Sequence, residues 1–240
     1  MTGTLHNPYA ESNGAFIRSE IWACLCPGDP AAAVKYAFED AIVDHTGEGV
    51  YGELFCAAVE SAAFAEQDIP TLIRIGLSFI PDDCLLRRCI DLVTECYKNG
   101  MDWRDARKKL LQFAPSPFGL RYLYHHAIPD QNPEPDIPMG EVGHDAATNV
   151  AIAVIGLLWG KGDFTKSLCI AANCGEDTDC TAGFIGALMG ILRGTAVIDS
   201  KWTDPIGDEI KTCTVDHSHG GICTSVTELT AVCTQELRAF

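Results

Sequence analysis

Basic stretches are missing from this 240-residue sequence: 17 Lys and Arg stand against 33 Asp and Glu, a formal net charge of −16. Without a Lys/Arg-rich run there is no surface for releasing counterions from a phosphate backbone, so nucleic acid is excluded as a partner. A single small anion is not, since helix N-termini, backbone amides, a few arginines or a cation held by gathered acids can offset the field. Long apolar runs are missing too. The strongest, Phe184 to Leu192, is broken by two glycines and is far too short to span a bilayer. The opening MTGTLHNPYAES has no basic-then-apolar secretory pattern. The expectation is a cytoplasmic protein with no membrane partner.

CxxC pairs are absent despite twelve cysteines, which speaks against a structural zinc site. Cys56, Cys89, Cys96 and Cys169 lie within apolar helical patterns and read as small reduced core residues. The stretch HSHGGIC (His217, His219, Cys223) reads better as a solvated loop than as a metal site. No Gly-x-Ser-x-Gly elbow occurs, and GLLWGKGD is one spacer short of a P-loop and lacks its Ser/Thr. Strand-like alternation is also missing, apart from a hint around EIKTCTVD.

What the chain has is helical periodicity. Val34, Ala37, Phe38 and Ala41 keep the i, i+3, i+4, i+7 rhythm, with Asp29 as N-cap, Pro30 as first helical residue and His45 further along the same face. Tyr51 to Ala65 is apolar nearly all round, as a buried central helix should be. Further helices are marked by Leu86, Cys89, Ile90, Val93 and Cys96; by Trp103, Ala106, Leu110 and Phe113; and by Val150, Ala153, Val154, Leu157 and Leu158, with Asn149 as a polar intruder. The fold class is therefore all-α, with 240 residues enough for one sizeable core. Between Pro115 and Gly143 runs a proline- and aromatic-rich stretch of the kind that forms lids or binding loops. In NCGEDTDCTAGFIGALMG, residues 173–190, Gly183, Gly186 and Gly190 share a helix face. At about 1 kcal/mol each against alanine, they suggest a central helix that another backbone approaches closely.

Two stretches carry candidate chemistry. GEGVYG, residues 47–52, spells G-x-G-x-x-G, but a helix rather than a strand precedes it, so dinucleotide binding is rejected. Its glycines could still present amides to a phosphate. In GEDTDC, Asp177 and Asp179 admit two readings. They start a helix, where acids favour the unpaired amides and the macrodipole, or with the Thr178 hydroxyl they form part of a hard-oxygen set for Mg²⁺ or Mn²⁺.

NCGEDTDCTAGFIGALMG is similar to the C-terminal metal motif of the ADP-ribosylglycohydrolase family, which includes the dinitrogenase reductase-activating glycohydrolase type. NGAFIRSEIWA, PGDPAAAVKYAFEDAIVDHTGEGVYGE and HDAATNVAIAVIGLLWGKGDF extend the resemblance over roughly residues 9 to 210. It implies an orthogonal multi-helix bundle with a binuclear Mg²⁺ (or Mn²⁺) centre beneath an ADP-ribose cleft. The implied activity is hydrolysis of the glycosidic bond between ADP-ribose and an acceptor; the alternative is a non-catalytic helical module that binds ADP-ribose or another nucleotide. It also implies catalytic roles for Asp177 and Asp179, metal ligation by Asp177, Thr178 and Asp179, and ligand contacts from Asn13, Gly14, His45, Gly47 and Gly49. For His45 a capping or core role stands equally open; Asn149 reads better as a satisfied core amide, and Arg18 as an ordinary ion pair with Glu20 or a neighbouring acid. Two departures stand out. Cys180 occupies the position of the family's second threonine, and no GDxxG-type stretch or D-D motif precedes Asn13. Residues 1–240 are accordingly expected to be one all-α domain lacking the N-terminal part of the family's catalytic domain, weakly active or inactive alone, with a missing segment or complementary chain as a further partner.

Overall fold

The computed structural model describes residues 7–114, 143–211 and 223–237. The proline-rich middle stretch and most of HSHGGIC lie outside the described residues. Within them there are eleven α-helices and no strand, as the periodicity predicts. None of these helices is long and apolar enough to cross a membrane. The chain divides into two compact units, Met1–Thr195 and Ala196–Phe240.

In the first unit run α1 (Ser19–Leu25), α2 (Pro30–Ala41), α3 (Gly47–Ala62), α4 (Ile69–Leu77), α5 (Leu85–Lys98), α6 (Trp103–Phe113), α7 (Ala146–Gly160), α8 (Phe164–Asn173) and α9 (Thr178–Arg193). α3 and α7 are the interior helices, buried on nearly every side, because their sequences are small or apolar all round. α5 buries Leu86, Cys89, Ile90, Val93 and Cys96, the predicted face. α2 starts as expected, with Pro30 first and Asp29 Oδ1 accepting from Ala32 N at 3.1 Å. Its buried face is rotated from the predicted one: Ala33, Ala37 and Ala41 point inward, while Phe38 is exposed. The small residues win the interior because α3 packs close against them. Cys56, Cys89 and Cys96 are buried and reduced, whereas Cys169 is half-exposed.

The glycine stripe on α9 is a second correction. A Cβ built on Gly183, Gly186 or Gly190 meets nothing within 4 Å among the described residues. The close approach occurs on α7 instead, where a Cβ on Gly160 would lie 1.9 Å from Ser167 Oγ and 2.7 Å from Ser167 Cα on α8. The central position expected of α9 belongs to α7.

Two carboxylates that the periodicity hides lie inside. Glu53 and Glu60, on α3, are fully buried, and neither oxygen of Glu53 has a hydrogen-bond partner. Glu60 Oε2 accepts from Ser19 Oγ at 2.8 Å. Burial, then the nearby Asp40 charge, pushes the Glu53 carboxyl up to about 9. Burial and Glu20 push Glu60 up as well. At about 9, Glu53 is a neutral acid near pH 7.

The second unit contains α10 (Ser200–Ile206) and α11 (Val226–Leu237). The expected strand around EIKTCTVD is reduced, in its described part, to an isolated antiparallel bridge between Glu209 and Ser225. Asp208 Oδ1 accepts from Thr227 N and Oγ1 at 3.0 and 2.9 Å.

Two stability outcomes are expected. Gly160→Ala should lower the free energy of urea unfolding by about 1–3 kcal/mol through overpacking, whereas Gly186→Ala should raise it by up to about 1 kcal/mol through helix propensity. Equal effects would refute the packing assignment. For Glu53 the folded pKa lies above the unfolded one, so its stability contribution is full below the unfolded value and is lost as pH rises toward about 9. Glu53→Gln should therefore raise the melting temperature more at pH 8.5 than at pH 5; a pH-independent effect would contradict a neutral Glu53.

Candidate functional site

Aspartate is this chain's habitual N-cap. Asp29, Asp68, Asp102, Asp145, Asp163 and Asp199 each accept a hydrogen bond from an amide in the first turn of their own helix. Asp177 holds the same position before α9 and makes no such bond. Its Oδ2 instead accepts from Asn13 Nδ2 at 2.6 Å and lies 2.9 Å from His144 Nδ1. Asp177 thus stands at the helix start without the capping bond, while Asp179 lies in the first turn and its carboxylate takes the amides of its own residue and Cys180. Capping would contribute about 1 kcal/mol, so another demand sets the Asp177 rotamer.

The loop before α9 is held for this purpose. Asn149 Oδ1 accepts from Asp177 N at 3.1 Å, while its Nδ2 donates to the carbonyls of Gly143 and Asp145 at 2.6 and 2.9 Å. It is the satisfied core amide of the sequence reading. Arg107 Nε donates to the Cys174 carbonyl. Gly143 is required where it stands, because a Cβ there would come within 2.7 Å of Glu176 Cα. These contacts lay the His144 segment along the Asp177 loop.

Asp177, Asp179 and Cys180 each present one donor atom within 4.8 Å of the others, the group of three metal-capable side chains found among the described residues. Two carboxylates and a thiol fit one divalent cation, with the exposed side of Asp179 open to water. Thr178 is exposed at the first helical position, and its carbonyl accepts from Thr181 Oγ1 at 3.3 Å. Burial alone would raise the Asp177 carboxyl, but hydrogen bonds from Asp179, Asn13, His144 and Cys180 outweigh it and hold the group down at about 2. Hydrogen bonding to Asp177 and its charge push Asp179 up. Burial, reinforced by Asp177, pushes the Cys180 thiol up to about 12. Two negative charges are thus disfavoured unless a cation joins them.

Asn13 and Gly14 connect this cluster to His45. A Cβ on Gly14 would sit 3.1 Å from His45 Nε2, which lies 3.3 Å from Ser12 Oγ. His45 is buried, and its Nδ1 meets Asp44 Oδ1 at 2.7 Å. Arg18 pairs with Asp44 and Asp40, each at 3.0 Å, so it is the ordinary ion pair expected, with partners from α2 and the turn after it rather than Glu20.

The glycine loop is corrected. Residues 47–52 are the first turns of α3, not a loop. The Gly49 amide bonds Thr46 O at 3.0 Å, and the Glu48 amide is taken by the Glu11 carboxylate. Gly49 abuts Ala10 O and the His45 ring, where a Cβ would come within 2.7 and 2.9 Å; Gly47 abuts the Glu11 carboxylate. These glycines seat residues 10–14 and reach no open anion site through those two amides.

His144 and Ser12 escaped the sequence reading. His144 immediately precedes the Asp145 cap of α7, and that adjacency to an apolar helix start was its one available signal. Glu48 was missed as well. Its two oxygens accept from Leu85 N and Leu86 N at 2.8 Å, capping α5 from a distance of 37 residues.

The ADP-ribosylglycohydrolase family model matches residues 2–232. The match therefore extends beyond residues 9–210 at both ends. No curated protein and no solved structure matches the chain.

Hydrogen bonding to Arg18 holds the Asp44 carboxyl down at about 2, against an ordinary 3.8. Its contribution is complete above the ordinary value and disappears as pH falls through the lower one. Asp44→Asn should lower the urea midpoint at pH 6 and weaken the acid-induced loss between about pH 4 and about pH 2. An unchanged acid limb would show that the Arg18–Asp44–His45 chain carries no net stability.

Proposed function

We propose, from the premise that the chain belongs to the ADP-ribosylglycohydrolase family and so to a family of glycosidic-bond hydrolases, that it acts on the bond joining ADP-ribose to an acceptor, in the cytoplasm. The observation that carries this reading is the Asp177 carboxylate: it forgoes its own helix and is oriented by Asn13 and His144 beside Asp179 and Cys180. Asp177 and Asp179, with Thr178 between them, would hold a divalent cation, and their oxygens by themselves suit Mg²⁺ or Mn²⁺. When bound, such an ion supplies Lewis acidity and a water of lowered pKa.

The remaining steps belong to the chain's own groups. Asn13 and His144 both engage Oδ2 of Asp177 and so fix its plane, leaving Oδ1 to a ligand. Gly14 gives the ligand access past His45, whose ring is fixed by Asp44 and Ser12 to contact a ribose hydroxyl. Glu48 is committed to the α5 amides and Asp145 to Thr148, so neither adds a second carboxylate pair to the cluster. The binuclear centre implied by the resemblance needs such a pair, and among the described residues no further carboxylate joins the cluster; on this reading turnover is weak. The same shortage supports the second reading, a module that binds ADP-ribose without cleaving it.

ADP-ribose titrated calorimetrically into EDTA-treated protein should bind at least about tenfold more tightly once a divalent cation is restored, with Mg²⁺, Mn²⁺ and Co²⁺ tried in turn, and Asp177→Asn should abolish the gain. Release of ADP-ribose from an ADP-ribosylated peptide should follow the same dependence. Binding indifferent to EDTA and to Asp179→Ala would overturn the metal-assisted reading in favour of the binding module.

A further inference from the structure

Position 180 places a sulfur beside the two aspartates. Cys180 lies one residue into α9 from Asp179, and its sulfur is within 4.8 Å of donor oxygens from both aspartates. It is half-exposed, so the sulfur is neither sealed in the core nor committed to a disulfide. A donor set of two carboxylates and one sulfur is a mixed set. Mg²⁺ gains little from sulfur and loses an oxygen; Co²⁺ and Zn²⁺ bind thiolate, imidazole and carboxylate together.

We propose that Cys180 Sγ is a direct metal ligand and that it turns this site toward a borderline divalent cation of the Co²⁺/Zn²⁺ class and away from Mg²⁺. The inference rests on the reading that Asp177 and Asp179 hold a cation, and it specifies which one. On binding, the S–H proton leaves to solvent and the sulfur lone pair forms the bond to the metal; no redox change is involved. His144, already on Asp177 through Nδ1, orients the carboxylate and is the kind of outer partner that tunes such a site.

The test uses the full chain after EDTA treatment and removal of the chelator. Co²⁺ is added in steps while the near-ultraviolet sulfur-to-cobalt charge-transfer band is followed, and Co²⁺, Zn²⁺ and Mg²⁺ affinities are measured by calorimetry. The expected result is a saturable one-equivalent band that is lost in both Cys180→Ser and Cys180→Thr. Both variants should bind Co²⁺ and Zn²⁺ at least about tenfold more weakly, with Mg²⁺ affinity unchanged or higher. Circular dichroism confirms that each variant is folded. Co²⁺ binding that depends on Asp177 but shows no band, or a band that persists in the Cys180 variants, would overturn the assignment while leaving the cation reading intact. Failure of all three ions to bind wild type would overturn the cation reading as well.

Discussion

One carboxylate decides how this end of the bundle is assembled. By pointing away from α9, Asp177 gives up a local cap and takes two long-range partners, Asn13 from 164 residues upstream and His144 from 33 residues upstream. Those two partners are themselves tied together, since Asn13 N donates to His144 O at 2.8 Å. Residues 10–13 continue the tie through Ala146 N to Glu11 O at 3.3 Å and Thr46 N to Ala10 O at 2.7 Å. A short irregular segment thereby joins the starts of α3, α7 and α9. None of those helices could shift along its axis without breaking a bond to it.

The interior supports this arrangement from below. α3 and α7 are buried over nearly their whole length, so their N-termini are fixed by packing before any polar contact is considered. Gly52 in α3 lies against Ala146 and Phe16, and Gly160 in α7 against Ser167. The buried acids of α3 work against this order, because each must be desolvated without full compensation. Glu53 lies beside Arg18 and Asp40, the pair that leads through Asp44 to His45. The Glu53 part of that cost therefore falls beside the Arg18–Asp44–His45 chain, and the Glu60 part beside Ser19.

The helices were legible because their periods are local properties of the sequence. α5 showed its whole buried face, and α2 showed its cap and first residue. α1, α4 and α8 went unread: seven to ten residues give a period little room to repeat. Phe38 was assigned inward because hydrophobicity ranks it above alanine, yet the tight crossing with α3 takes the small side chains of Ala33, Ala37 and Ala41. The glycine stripe misled for a related reason. Glycine spacing identifies a smooth helix face but not whether a neighbour occupies it. For the candidate site, the resemblance named Asp177, Asp179, Asn13, Gly14 and His45, and the structure brings these residues near one another. His144, Ser12 and Glu48 were not, because each acts on a residue 33 or more positions away and leaves no periodic trace.

The charge distribution explains why a cation matters to the proposed ligand. Helix starts are natural anion sites, and α3, α5 and α7 begin near one another here. Each is already answered from within the chain: α3 by Glu11, α5 by Glu48 and α7 by Asp145. Arg18 is held by Asp40 and Asp44, and the Gly49 amide by Thr46. With a formal charge of −16 on the chain, an anionic nucleotide approaching this end meets dipoles that have been neutralised and an arginine that is spoken for. The start of α9 differs, because its aspartate was turned elsewhere and its acids cluster with a thiol. Under the proposed reading, a divalent ion at that point converts two unfavourable carboxylates into the one local positive charge an ADP-ribose phosphate or ribose oxygen can use. Ligand and metal binding then become linked equilibria, in which the factor by which the ion tightens the ligand equals the factor by which the ligand tightens the ion.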